Sequence, residues 1–145
     1  MTTMNYTHAR ARAELCAQHD ALRAMMDRCM NLADELDAGR IPPAQLMREV
    51  ARLRLAFEAH NKFEEQLLRP VLLAGDPHAE VRIDRMMDDH VEEHRMMRAR
   101  LAADAGVTGD LRDLVETLRA HLDAEERYLL SAHVLHEHTL VPAHR

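Results

Sequence analysis

A chain of 145 residues is long enough to bury one core, and its length points to a single domain over residues 1–145. The net charge of -6 comes without a basic cluster, which argues against nucleic acid as a partner. No apolar run reaches the length of a signal peptide or a membrane span, so no membrane association and a cytoplasmic location are expected.

Abundant Ala, Leu, Met, Arg and Glu, with 4 glycines and 3% aromatics, favour helices over strands. The first predicted helix covers 8–38. Its apolar stripe is Leu15, His19, Leu22, Met26, Cys29, Ala33 and Leu36, in steps of three and four. Cys29 is on the stripe, where it reads as a small core residue, and Cys16 lies just off it. About 20 Å of helix separates the two thiols, so they cannot bridge each other, and reduced cysteines fit a reducing compartment. Gly39, Arg40, Ile41, Pro42 and Pro43 form a helix stop followed by a proline start.

The second helix covers 43–74 with Leu46, Val50, Leu53, Phe57, His60, Glu64, Leu67 and Val71 on one face. Pro70 is expected to kink it or loosen its last turn. After Gly75, Asp76 and Pro77 comes a third helix over 79–105, with Ile83, Met87, His90, His94, Met97 and Leu101. A break from Gly106 to Asp110 precedes the fourth helix over 110–136, capped by Thr108 or Asp110. Its stripe is Leu111, Leu114, Leu118, His121, Glu125, Tyr128, Ala132 and Leu135. A tail over 137–145 has no periodicity. This a/d rhythm with short connections predicts an all-α, antiparallel, up-down-up-down four-helix bundle.

Histidine is the compositional anomaly, at 11 copies. The polar residues His19, His60, Glu64, His90, His94, His121 and Glu125 interrupt the core stripes rather than the solvent faces. The last six form three i, i+4 pairs, each on one side of its helix. The pairs on the second, third and fourth helices lie about 13 or 14 residues from the second and third breaks beside them, and His19 and the second-helix pair about 20 from the first break. At about 1.5 Å per residue all seven side chains fall in one layer.

Imidazole and carboxylate are iron and zinc ligands, and bundle cores are a place where such sites are built. Two buried carboxylates alone would cost several kcal/mol each or take up protons. Two divalent cations, two carboxylates and one bridging hydroxide leave a charge of about +1, which a partly polar pocket can hold. One ion cannot readily use seven ligands, since zinc takes about four and octahedral iron about six. A lone His–Glu pair on a helix is usually a surface pair, and a core histidine is often only hydrogen-bonded. That plainer account has to place ligand-type residues on four inward stripes at one height.

The pattern resembles the hemerythrin-like (HHE cation-binding) family. The matching text is His19, then His60-Asn-Lys-Phe-Glu64-Glu65, His90-Val-Glu-Glu-His94 and His121-Leu-Asp-Ala-Glu125-Glu126, spread over essentially the whole chain. The resemblance implies a non-haem di-iron centre, two iron ions with a bridging oxo or hydroxo group. His90, His94 and His121 would hold one iron, His19 and His60 the other, and Glu64 and Glu125 would bridge them. The open position on the less-liganded iron would take dioxygen. The oxygen carriers of that family have an aspartate five residues after the last histidine. Here Glu125 comes at four, on the core stripe, and Glu126 at five, turned by about 100°. Glu125 is therefore expected to bridge and Glu126 to be a solvated charge. A ferritin-like centre would need Glu-x-x-His motifs, and the chain has none.

Leu22, Met26, Phe57, Met97, Leu118 and Leu122 are expected to wall the centre. Tyr128, one turn past Glu125, reads as core packing or as a hydrogen-bond donor to the bound group. The ten methionines read as flexible core filling, and the acidic runs Asp88, Asp89 and Glu92, Glu93 as a solvated face. His133, His136, His138 and His144 read as exposed histidines rather than a second metal site. The expected function is binding of dioxygen or a related small molecule for storage, delivery or sensing. With no attached output domain, sensing would need a protein partner. The alternatives are a di-iron enzyme acting on peroxide or nitric oxide, and an iron-handling or iron-sensing protein. Manganese or zinc could stand in for iron.

Overall fold

The computed structural model describes residues 8–75, 78, 80–103 and 108–129. Four helices follow in chain order: α1 (His8–Asp37), α2 (Pro43–Gly75), α3 (Glu80–Ala103) and α4 (Thr108–Ala124), the last continued by a π-turn over Glu125–Leu129. Among the described residues there is no strand, and no helix is long and apolar enough to cross a membrane. The expected helix bounds hold to within a few residues, and what lies beyond Leu129 falls outside the described residues.

Local chemistry explains where the helices stop. Gly39 takes a φ of 74°, a left-handed conformation that glycine adopts without a Cβ penalty. It lets the Gly39 amide donate to the Leu36 carbonyl and the Arg40 amide to the Glu35 carbonyl, each at 2.9 Å, which satisfies carbonyls that α1 leaves open. Pro43 then opens α2, where its missing N–H is no loss. α2 runs on through Pro70 to Gly75, so the proline lies inside its last turns instead of ending it. The hydrogen bond lost to the Gln66 carbonyl falls near the helix end, where tertiary packing on α3 holds the turn.

α1 packs on α2 and α4, and α3 packs on α2 and α4, which closes a four-membered ring. The α1–α4 seam also carries a charge ladder. Arg112 binds Asp34 at 2.7 Å, Arg119 binds Asp27 at 2.6 Å, and Arg23 binds Asp123 at 2.7 Å. Residue numbers rise on α4 as they fall on α1, so the two helices are antiparallel. The ladder is largely exposed and fixes register more than it adds stability.

Two apolar clusters fill the interior. One holds Leu22, Met26, Phe57, Met97, Leu118 and Leu122, the residues expected to wall the centre. The other holds Ala11, Leu15, Leu68, Val71, Ile83 and Met87. Along α1, His19 falls between Leu15 of one cluster and Leu22 of the other, so the polar layer is closed from both ends by hydrocarbon. Cys29 is buried in the first cluster and Cys16 is half-buried, both as free thiols.

Candidate metal centre

All seven polar residues expected inside the bundle meet in this layer. His19, His94 and Glu64 have no exposed surface, His60, His90 and Glu125 are buried, and the His121 side chain is 9% exposed. Their donor atoms form two groups that could hold a metal ion. One is His90, His94, His121 and Glu125, and the other is His19, His60, Glu64 and Glu125, with the donor atoms of each group within 4.8 Å of one another. Glu125 belongs to both. Its carboxylate lies 3.0 Å from His19 Nε2 and 3.0 Å from His121 Nε2, and it contacts His90 Nε2 as well. Glu64 also reaches across, at 2.6 Å from His90 Nε2 and 3.5 Å from His60 Nε2.

Burial of so many polar atoms calls for a partner. His19 Nε2, His60 Nε2, Glu64 Oε2 and both Glu125 oxygens are buried without a hydrogen bond, although some lie close to one another. Approaches such as 3.9 Å from His19 Nε2 to Glu64 are too long to be hydrogen bonds. Unpartnered nitrogen and oxygen donors converging in a closed layer are what a cation coordinates, so the residues present fit a bound metal.

Three of the outer ring nitrogens are hydrogen-bonded. His19 Nδ1 donates to Glu126 Oε2 at 2.8 Å, His60 Nδ1 to Gln18 Oε1 at 2.7 Å, and His94 Nδ1 to Glu65 Oε2 at 2.8 Å. A carboxylate only accepts, so Nδ1 carries the proton on His19 and His94, and Nε2 faces the interior of the layer. Charge follows the same geometry. Burial opposes the charged form of His19, but Glu125 and Glu64 outweigh it and raise its pKa to about 9. The same opposition and the same two carboxylates leave His94 at about 9 and His90 at about 10. Burial would lift the carboxyls of Glu64 and Glu125, yet the ring of imidazoles holds both far below the usual range. In this layer protons on imidazole would compete with a metal cation.

Sequence reasoning located the inner seven and missed the residues behind them. Glu126, expected in solvent, instead bonds His19 and accepts from Arg23 Nη1 at 2.9 Å. A residue next to an inward one is turned by about 100°, so with Glu125 facing the centre Glu126 faces the α1–α4 seam, where Arg23 receives it. Gln18, Glu65 and Glu126 each follow or precede an inner residue in the chain. In a ring of four helices such a neighbour faces a seam, and that adjacency is the signal that could have found them. Asn61, beside His60, is 1% exposed with neither its amide nitrogen nor its oxygen bonded. Tyr128 has its backbone in the π-turn, and its side chain falls outside the described residues, as do His133, His136, His138 and His144. Asp88, Asp89, Glu92 and Glu93 are exposed, as expected.

A cleft of about 470 Å³ opens onto His90, His121 and Glu125, between Arg82, Arg85, Asp89 and Glu93. A smaller one of about 290 Å³, lined by Ala21, Ala56, Ala59 and Gln18, reaches His60 along the α1–α2 seam.

No curated protein and no solved structure matches the chain. The family model described as the hemerythrin HHE cation binding domain matches residues 10–132, a span that contains all seven inner residues. The chain therefore belongs to the hemerythrin HHE cation-binding family.

Proposed function

We propose that this protein holds two iron ions, linked by an oxo or hydroxo group, and uses them to bind dioxygen or a related small molecule for storage, delivery or sensing. The observation that carries the reading is the pair of four-residue donor groups joined through Glu125. In it, His90, His94 and His121 hold one ion, His19 and His60 the other, and Glu64 and Glu125 span both. When bound, an iron pair supplies two electrons and an open coordination position. The chain contributes the rest. It would offer three imidazoles to one ion and two to the other, which would leave the open position on the His19 and His60 side. Phe57, Leu118 and Leu122, fully buried in the apolar cluster at one end of the layer, keep water out from that end. The apolar lining beside His60 suits an uncharged diatomic more than an ion.

A second reading, turnover of peroxide or nitric oxide, draws on the larger cleft. Its charged rim at His121 and Glu125 gives water and protons a way to the centre, which turnover requires. Manganese or zinc in place of iron is compatible with the same donors.

Metal analysis with visible spectra of the reduced protein before and after exposure to air tests the reading. Two irons per chain, and bands that form in air and revert under vacuum, are the expected result. Bands that persist, together with peroxide or nitric oxide turnover that His121→Ala abolishes, would transfer the assignment to an enzyme. An iron-free protein after purification with ample iron would end both readings.

A further inference from the structure

Glu125 and Glu126 are consecutive, equally long carboxylates beside one centre, and only one of them joins the donor groups. The difference lies on α1. Arg23 Nη1 donates to Glu126 Oε2 at 2.9 Å, and Arg23 Nη2 donates to Asp123 at 2.7 Å, so the guanidinium spans one turn of the facing helix. The same Glu126 oxygen accepts from His19 Nδ1 at 2.8 Å. Arg23 and Glu126 are 28% and 29% exposed, so the pair forms the wall between the buried His19 and solvent.

We propose that Arg23 selects between the two glutamates: it clamps Glu126 outside the centre, where Glu126 acts as the positioning residue for His19, and so leaves Glu125 to bridge. This rests on the metal reading above. A clamped carboxylate fixes the His19 ring and keeps its proton on Nδ1. Its negative charge makes Nε2 a stronger donor to a cation, and loss of such a partner typically costs about 10- to 100-fold in metal affinity. Glu65 stands in the same relation to His94, so each donor group has one imidazole backed by a carboxylate. The arginine clamp also removes a competitor. With Glu126 held on the Nδ1 side of His19, Glu125 alone of the two faces the donor groups.

Cobalt(II) titrated into metal-free protein, followed by visible absorption and calorimetry, tests the assignment. His60→Ala identifies the binding step that belongs to the His19 side. Glu126→Ala is expected to weaken that step by about 10- to 100-fold and to shift its absorption bands, leaving the other step as in wild type. Glu126→Gln, which keeps the acceptor oxygen without the charge, is expected to weaken it less, and it serves alone if the alanine variant does not fold. Glu65→Gln is expected to act on the opposite step. Arg23→Met should alter the spectrum of the His19-side ion as Glu126 is freed to approach it. The assignment is overturned if Glu126→Ala and Glu126→Gln bind both ions with wild-type affinity and spectrum. It is equally overturned if they weaken both steps alike, as a general loss of folding would. A wild-type chain that takes up fewer than two cobalt ions removes the paired-metal reading itself.

Discussion

Glu125 is the residue on which both donor groups depend, and that sharing separates it from every histidine around it. Glu125→Ala is expected to lower affinity for both ions by at least about tenfold, whereas His60→Ala should affect one. Equilibrium dialysis with metal analysis distinguishes the two patterns. Asn61 makes a prediction of the opposite kind. It is buried with no hydrogen-bond partner, a state that costs about 1–3 kcal/mol, and leucine has nearly its shape. Asn61→Leu should therefore raise the midpoint of chemical denaturation. A drop in the midpoint would mean that the amide has a partner in solution. At this scale the inner seven were legible because ligand types interrupt apolar stripes at helical spacing. Gln18, Glu65 and Glu126 were not, because their role depends on how far each helix is rotated about its own axis. A single helix's pattern does not contain that angle.

The helices themselves were readable from periodicity and from the Gly39 and Pro43 signals, since these act within one or two turns. The π-turn was not. Its sequence continues the three-and-four rhythm, and what widens it is tertiary: Glu125 is drawn inward while Glu126 is tied to Arg23 on α1. On α2, Phe57 links the apolar cluster to the polar layer, with its ring 5.8 Å from that of His94 and 6.4 Å from that of His60. Phe57→Ala is expected to cost about 3–5 kcal/mol through the cavity it leaves. It should also loosen metal binding by freeing both imidazole rings. A variant that loses stability but binds cobalt as wild type does would show that the ring packs without positioning either histidine.

At the level of the whole molecule, the buried layer makes stability depend on pH in a direction that metal reverses. The carboxyls of Glu64 and Glu125 are held low despite burial, so their contribution is present above about pH 4.3, the unfolded value, and is lost only in strong acid. His90 is raised to about 10 and His19 and His94 to about 9. Their contribution is complete below about pH 6.5, the unfolded value, and is lost as pH rises through 9 to 10. Metal-free protein should therefore melt highest between about pH 4.5 and 6.5 and progressively lower towards pH 10. A metal ion must displace those protons, so its affinity, and the stability it adds, should climb over the same range. Melting curves at pH 6 and pH 9, with chelator and with iron, check both signs. Equal melting temperatures with and without iron at pH 9 would show that the layer is not coupled to metal.

The most direct measurement is anomalous diffraction at the iron edge from crystals of the iron-loaded protein. Two peaks are expected in the layer between the two apolar clusters, one bonded by His90, His94 and His121, the other by His19 and His60, with Glu125 bonded to both. A single peak, or iron bound only at surface carboxylates with those imidazoles turned to one another, would contradict the account.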